Sequence, residues 1–195
     1  MTHAMGDSPS LPFPRTNREF LQAIFGADWE RAHVTSFPGD PSAPPSGAWL
    51  GGPAKTFPLN EDYNNYYTVS LFRGGQRKAG FLERWVVLGV DDVGPKVKQA
   101  DVLNLLGEPS YQIETSPGNQ QWGYVIGNRV RITDALWANE FIKSLIKQLV
   151  GEDARDPGMR DVTRYLRLPY GRNHKAAYAE QGGHKVALTL WSPAR

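Results

Sequence analysis

Two stretches of the chain carry residue types that do chemistry. WVVLGVDDVG, residues 85–94, ends an apolar run on two adjacent acids, Asp91 and Asp92. DVTRYLRLPYGRNHK, residues 161–175, crowds Arg164, Arg167, Arg172 and Lys175 together, with Tyr165 and Tyr170 between them. A carboxylate pair suits hard cations that also touch phosphate oxygens. Arginine engages phosphate as a bidentate fork and lysine as a point charge. A ligand that calls for both is a nucleoside triphosphate with its metal ions.

Each stretch also has a plainer reading. DDVGP has the composition of a turn, and on spacing alone the turn is the stronger reading. Neighbouring strand side chains point to opposite faces, so Asp91 and Asp92 share a metal only if the strand bends or bulges. Arg164 and Arg167 would likewise face opposite sides of a regular strand and need not share a ligand. The cationic strip could be a solvated edge that discourages aggregation. A third stretch, TSPGNQQW, contains Thr115, Ser116, Pro117, Gly118 and Asn119. Its backbone N–H groups could form an anion-binding nest, with Asn119 and Gln121 on one strand face; the plainer reading is a hairpin turn.

The elements that must position these residues are partly legible. In TNREFLQAIFG, Thr16 and Glu19 have capping-box spacing, Phe20, Leu21, Ile24 and Phe25 form an apolar face, and Gly26 is a stop. Residues 37–55 are rich in Pro and Gly and read as an irregular surface loop. YYTVSLF, RWVVLGV, SYQIETS, QQWGYVIG, RYLRLP and HKVALTLW read as strands. KVKQADVLNLLG holds a short helix. TDALWANEFIKSLIKQLVG is the clearest helix, capped by Thr133 or Asp134, ended by Gly151, with Leu136, Phe141, Leu145 and Leu149 as its apolar face. Strands and helices do not alternate regularly, so the fold class is α+β.

Composition narrows the chemistry. The chain has 195 residues, 40% hydrophobic and 22% charged, with a net charge of +2, an ordinary globular profile. It has no cysteine, which removes disulfides, thiol catalysis and Cys-ligated zinc. His3, His33, His174 and His184 do not pair at zinc-site spacing, so a metal would be held mainly by carboxylates, which points to Mg²⁺ or Mn²⁺. No segment approaches the roughly 20 apolar residues that span a bilayer, and the N-terminus lacks a signal-peptide core. A cytoplasmic location is expected, with residues 1–15 a flexible N-terminus and 16–195 one domain.

Taken in order, the three stretches resemble the motifs of the archaeo-eukaryotic primase superfamily, nearest its RepB-like and phage or plasmid primase–polymerase branch. The resemblance covers roughly residues 16–192. VVLGVDDVG resembles the first, acidic motif. TSPGNQQWGY resembles the second, with Asn119 and Gln121 at its Ser-x-His positions. ARDPGMRDVTRYLRLPYGRNHK resembles the third motif and the basic R-x-x-R-L-P-G-x-x-N-x-K stretch that follows it. Asp156 is its candidate acid, eleven residues before Arg167; Asp153 and Asp161 are rivals, and Asp161 could simply pair with a neighbouring arginine. Asn173 and Lys175 supply the N-x-K ending. The chain departs from the family twice: its acids are adjacent rather than D-x-D, and glutamine replaces the histidine.

The resemblance implies an RRM-like mixed or antiparallel sheet flanked by helices. It implies that residues 16–195 are the catalytic domain of a DNA primase or polymerase of a phage, plasmid or other mobile element, which could belong to a larger primase–helicase. Asp91, Asp92 and Asp156 would hold two Mg²⁺ or Mn²⁺ ions. Ser116, Asn119, Gln121, Arg164, Arg167, Asn173 and Lys175 would bind the nucleoside triphosphate. The implied partners are a single-stranded DNA template, a primer and a helicase domain or protein, with Trp122 or Tyr170 as possible stacking platforms and Trp122 favoured as core. The alternatives are a catalytically weak replication-initiation or single-strand-binding module of the same fold, a metal-dependent nuclease, and a generic α+β domain with surface charges. No G-x-x-x-x-G-K-S/T motor segment occurs in the sequence.

Overall fold

The computed structural model describes residues 12–127, 130–151 and 161–193. Along the chain run α1 (Asn17–Phe25), β1 (His33–Phe37), β2 (Gly52–Pro53), β3 (Asn64–Thr68), β4 (Ser70–Phe72), β5 (Leu82–Trp85) and β6 (Val87–Val93). There follow α2 (Gln99–Leu106), β7 (Tyr111–Ser116), β8 (Asn119–Val125), α3 (Ala135–Val150), β9 (Tyr165–Arg167), β10 (Gly171–Asn173) and β11 (His184–Trp191). One sheet has the order β2-β1-β3-β9 and a second the order β10-β11-β7-β8-β6, with β4 and β5 as a separate ribbon. All these pairings are antiparallel. The α+β reading holds, and the strands divide between two main sheets. Among the described residues, no helix is long and apolar enough to cross a membrane.

Local sequence explains the helices. Thr16 Oγ1 accepts from Glu19 N at 3.1 Å, so Thr16 caps α1 as its spacing predicts. The Glu19 carboxylate accepts from Arg15 N at 2.7 Å, one residue earlier than a capping box requires. Asp134 caps α3, accepting from Leu136 N and Trp137 N. The apolar face expected of α3 is corrected. Its buried residues are Ala138, Ile142, Leu145 and Leu149, whereas Leu136 is 80% and Phe141 40% exposed. The buried set keeps steps of four, three and four and so follows one stripe. Ala138 lets the helix approach the core, and Phe141 stacks outward on Trp137 at 5.5 Å.

The two sheets meet where β9 passes β8 and β6. Leu166 of β9 fills the space that a side chain at Gly89 of β6 would take. One continuous core joins α1, both sheets and α3 through Phe20, Tyr67, Val87, Ile113, Leu145 and Leu166. Asn139 of α3 accepts from Val162 N at 3.0 Å and so anchors the turn that leads into β9. The cleft described next opens at this junction.

Candidate active site

The acid pair sits at a defect in β6. Val90 pairs with Trp122 and Val93 with Gln120, so three steps on β6 oppose two on β8. This is the bulge that adjacent acids need if they are to act together. Asp92 has φ 56, the sole positive φ outside glycine among the described residues. Aspartate tolerates this region because its short side chain bonds locally. Asp91 and Asp92 thereby line one cleft of about 460 Å³. Gly94 closes the turn at φ 112, so near Gly118 O that a Cβ there would collide with it. The acid turn is thus seated on the β7–β8 turn.

The two acids have different surroundings. Burial, then the neighbouring Asp92 charge, raises the Asp91 carboxyl above its ordinary value, against the opposing charges of Arg164 and Arg167. Arg164 Nη2 lies 3.8 Å from Asp91 Oδ2. For Asp92 burial also acts upward, but hydrogen bonds from Lys96 and Asn119 outweigh it and hold the carboxyl below its ordinary value. Lys96 Nζ donates to Asp92 Oδ2 at 2.6 Å, and Asn119 Nδ2 donates to Asp92 Oδ1 at 2.9 Å. The other amide atom, Asn119 Oδ1, is buried with no hydrogen-bond partner. A buried acceptor left unmade carries a desolvation cost, which a bound cation or donor would remove.

The cations divide into one structural and two accessible groups. Arg167 is 7% exposed. It donates to Asn64 Oδ1 at 3.2 Å and to Asn173 Oδ1 at 2.8 Å, and lies 4.7 Å over the Tyr66 ring. Burial pulls its pKa below the ordinary value, yet a guanidinium remains charged. These partners are neutral, so its positive field is directed into the cleft rather than neutralised beside it. Asn173 ties this network to the second sheet by donating to Thr115 O at 2.9 Å. Arg164 and Lys175 line the same cleft with more exposure, and Arg164 Nε is buried without a partner. Arg164 and Arg167, which regular strand alternation would set on opposite faces, both line this cleft. Arg164 precedes β9 in a turn, so strand alternation does not apply to the pair.

Gln121 lines the cleft but is 1% exposed. Its Nε2 donates to Arg167 O at 3.1 Å, and its Oε1 accepts from Arg167 N at 2.8 Å. Both ends of the amide are spent on the backbone of one residue of β9, so Gln121 joins the sheets and sets the place of Arg167. Gln121→Ala is expected to leave a buried N–H and C=O unpaired and to lower stability by about 2–4 kcal/mol. Urea unfolding measures this; a loss near zero would show that the clamp is replaceable.

Ser116, Arg172 and Tyr170 fall outside the cleft lining. Ser116 is buried at the hairpin and does not line the cleft, where its neighbour Thr115 stands. Arg172 points away from Asn173 on β10, toward Asp62 at 3.4 Å and the carbonyls of Gly182 and Gly183. Trp122 is core, 2% exposed. Tyr170 is tied to the start of α1, its N–H donating to Asn17 Oδ1 at 3.0 Å and its hydroxyl to Pro14 O. Asp161 lines the cleft, and its Oδ1 accepts from Thr163 N and Oγ1 at 2.7 and 2.6 Å. Asp156 and Asp153 lie outside the described residues. Among the described residues, no group of three or more His, Asp or Glu forms a metal cluster.

The cleft also holds residues to which the sequence reading gave no role at the site: Trp49, Tyr66, Arg77 and Tyr165. Trp49 lies in the loop that composition marks only as irregular. A large aromatic isolated among Pro, Gly and Ser is the signal that could have found it.

No family model and no curated protein matches the chain. Solved structures do. The AEP domain of the cyanophage S-2L primase-polymerase aligns over 93% of this chain and 95% of its own, at 14% identity and a TM-score of 0.56. The catalytic domain of primase RepB′ in complex with initiator DNA aligns over 89% of this chain and 85% of its own, at 16% identity and a TM-score of 0.51. A longer RepB′ primase structure aligns over 91% of this chain and 57% of its own, also at 16% and 0.51. The chain therefore shares the fold of these primase-polymerase and primase domains.

Proposed function

We propose that this chain is a template-directed nucleotidyltransferase that makes or extends primers on single-stranded DNA. The observation that carries the reading is the bulge in β6. It brings both acids of a primase-like fold into one cleft with Arg164, Arg167 and Lys175. The reaction joins a primer 3′-oxygen to the α-phosphorus of a nucleoside triphosphate, breaks the bond from that phosphorus to the bridging oxygen, and releases pyrophosphate and the hydroxyl proton. Such transfer depends on positioning and charge neutralisation rather than covalent catalysis.

The donor set suits Mg²⁺ or Mn²⁺. Two carboxylates and the unpartnered Asn119 Oδ1 are hard oxygen donors, and the burial and Asp92 repulsion that raise Asp91 are what a cation would offset. We assign the ligands to Asp91 and Asp92, with Asp156 as third acid on its motif resemblance. A divalent cation supplies neutralisation of phosphate charge and acidification of the attacking hydroxyl. The remaining work falls to side chains. Arg164 and Lys175 receive the triphosphate and the departing pyrophosphate. Arg167 contributes the buried positive field, held by Gln121, Asn64 and Asn173. Asn119 orients Asp92. Ser116 acts, on this reading, through the backbone of the β7–β8 turn.

The test is extension of a primed single-stranded template with labelled deoxynucleotides and Mn²⁺. The wild type is expected to lengthen the primer, and Asp91→Ala/Asp92→Ala to lose this while melting as a folded protein. Asp156→Asn is expected to behave like the double variant, and retained incorporation would remove Asp156 from the site. Template binding without extension would instead favour a replication-initiation module, and primer shortening a nuclease.

A further inference from the structure

Three aromatic rings line the cleft, and their faces are unequally occupied. Tyr66 has Arg167 over its ring at 4.7 Å and Phe37 near-parallel at 5.8 Å and 18°. Tyr165 has Arg77 over its ring at 4.4 Å, and its hydroxyl meets His33 Nδ1 at 3.2 Å. Trp49 differs. It meets Phe37 edge-on at 4.9 Å and 76°, Tyr66 at 58° and Tyr165 at 38°. Among the described residues, no cation and no parallel ring covers its face.

The loop that presents Trp49 is pinned on both sides of it. Thr35 Oγ1 of β1 donates to Ala48 O. Arg77 Nη2 donates to Trp49 O at 3.1 Å, and its Nη1 donates to Thr163 O, also at 3.1 Å. Arg77 thus ties the Trp49 loop to the turn that carries Arg164. Gly51 adopts φ 59 so close to β1 that any Cβ would collide with Val34 O and the Tyr165 hydroxyl. An indole held this way is placed before any ligand arrives, which lowers the ordering cost of binding.

We propose that Trp49 is the nucleobase platform of the cleft. It stacks the base of the nucleoside triphosphate whose phosphates lie at Arg164 and Lys175, and Arg77 holds it there. The inference rests on the nucleotidyltransferase reading and adds the base-binding part of that site. Every base has a π-face, so the platform tolerates all four and leaves selection to the template.

Calorimetric titration of the full chain with Mg²⁺ tests this, using a deoxynucleoside triphosphate and, separately, inorganic triphosphate. Wild type is expected to bind the nucleotide more tightly than the baseless triphosphate. Trp49→Ala is expected to weaken the nucleotide about 5- to 30-fold and to leave inorganic triphosphate within about twofold. Trp49→Phe should restore most of the loss, whereas Trp49→Leu, which keeps apolar bulk without a π-face, should not. The proposal is overturned if Trp49→Ala binds the nucleotide like wild type, if both ligands weaken equally, or if Leu serves as well as Phe. Those results would leave the triphosphate site standing. If wild type binds neither ligand, the nucleotide reading itself fails and the platform with it.

Discussion

Asp91→Asn is expected to abolish nucleotide incorporation and, in metal-free buffer, to make the protein more stable. Burial and the Asp92 charge raise the native Asp91 carboxyl above its ordinary value. The native state therefore holds this proton more tightly than the unfolded chain. Stability from this site is present at low pH. It is lost as pH rises from the ordinary carboxylate value through the raised native one, and the loss persists above that. Asparagine removes the charge and keeps the Oδ1 acceptor for Asp92 N, a bond of 3.0 Å. In EDTA at pH 7 the variant should melt above wild type, by about 2–4 °C for each kcal/mol relieved. The gap should close toward pH 3–4, where wild-type Asp91 is itself protonated, roughly the ordinary carboxylate range. Incorporation should fall by roughly 10²–10³-fold or more, as for loss of a central electrostatic group. A variant that melts lower at every pH would show that Asp91 is held by its pairing with Arg164 and not strained by burial. The gain in stability on removing a reactive group is the usual mark of a site built for activity.

Arg167→Ala carries the second large effect, on stability and binding together. The side chain is 7% exposed and links Asn64, Asn173 and Tyr66. Its loss empties a buried space and weakens the joint between the two sheets. We expect about 2–4 kcal/mol of destabilisation in urea. Asn64 Oδ1 and Asn173 Oδ1 also accept from His174 N and Lys175 N, at 3.2 and 3.3 Å, which limits the loss. Arg167→Met separates the two roles. Methionine refills much of the volume without a charge and should recover part of the stability. It should not recover affinity for triphosphate, expected to fall roughly 10- to 100-fold with a lost charge-assisted contact. Full affinity in the Met variant would make Arg167 a packing residue alone.

Much of this was legible along the chain because it depends on neighbours in sequence. The caps at Thr16 and Asp134, the helix stops at Gly26 and Gly151, and the strands on either side of Pro117–Gly118 follow local rules of hydrogen bonding and turn chemistry. So does the short helix at Gln99–Leu106. The resemblance of three motifs to primases pointed to the fold that the two sheets and their structural neighbours display.

What failed, failed where a side chain's direction depends on distant backbone. The buried stripe of α3 runs through small Ala138 and not through bulky Leu136 or Phe141, because the approach of the core decides which face is covered. Arg172 and Ser116 belong to the right motifs but stand at positions whose pleat turns them from the cleft, while Thr115 and Asn173 turn inward. Trp49 is more than a hundred residues from Arg164 in sequence, and the folded chain joins the two segments through Arg77 and the Trp49–Tyr165 ring contact. The sequence by itself determined the inventory of the site: two adjacent acids, a cationic strip and an amide-bearing turn. Tertiary structure alone decided that they share one cavity. A single extra residue in β6 cancels the alternation that would part Asp91 from Asp92, and that defect is set by pairing with β8 across the sheet.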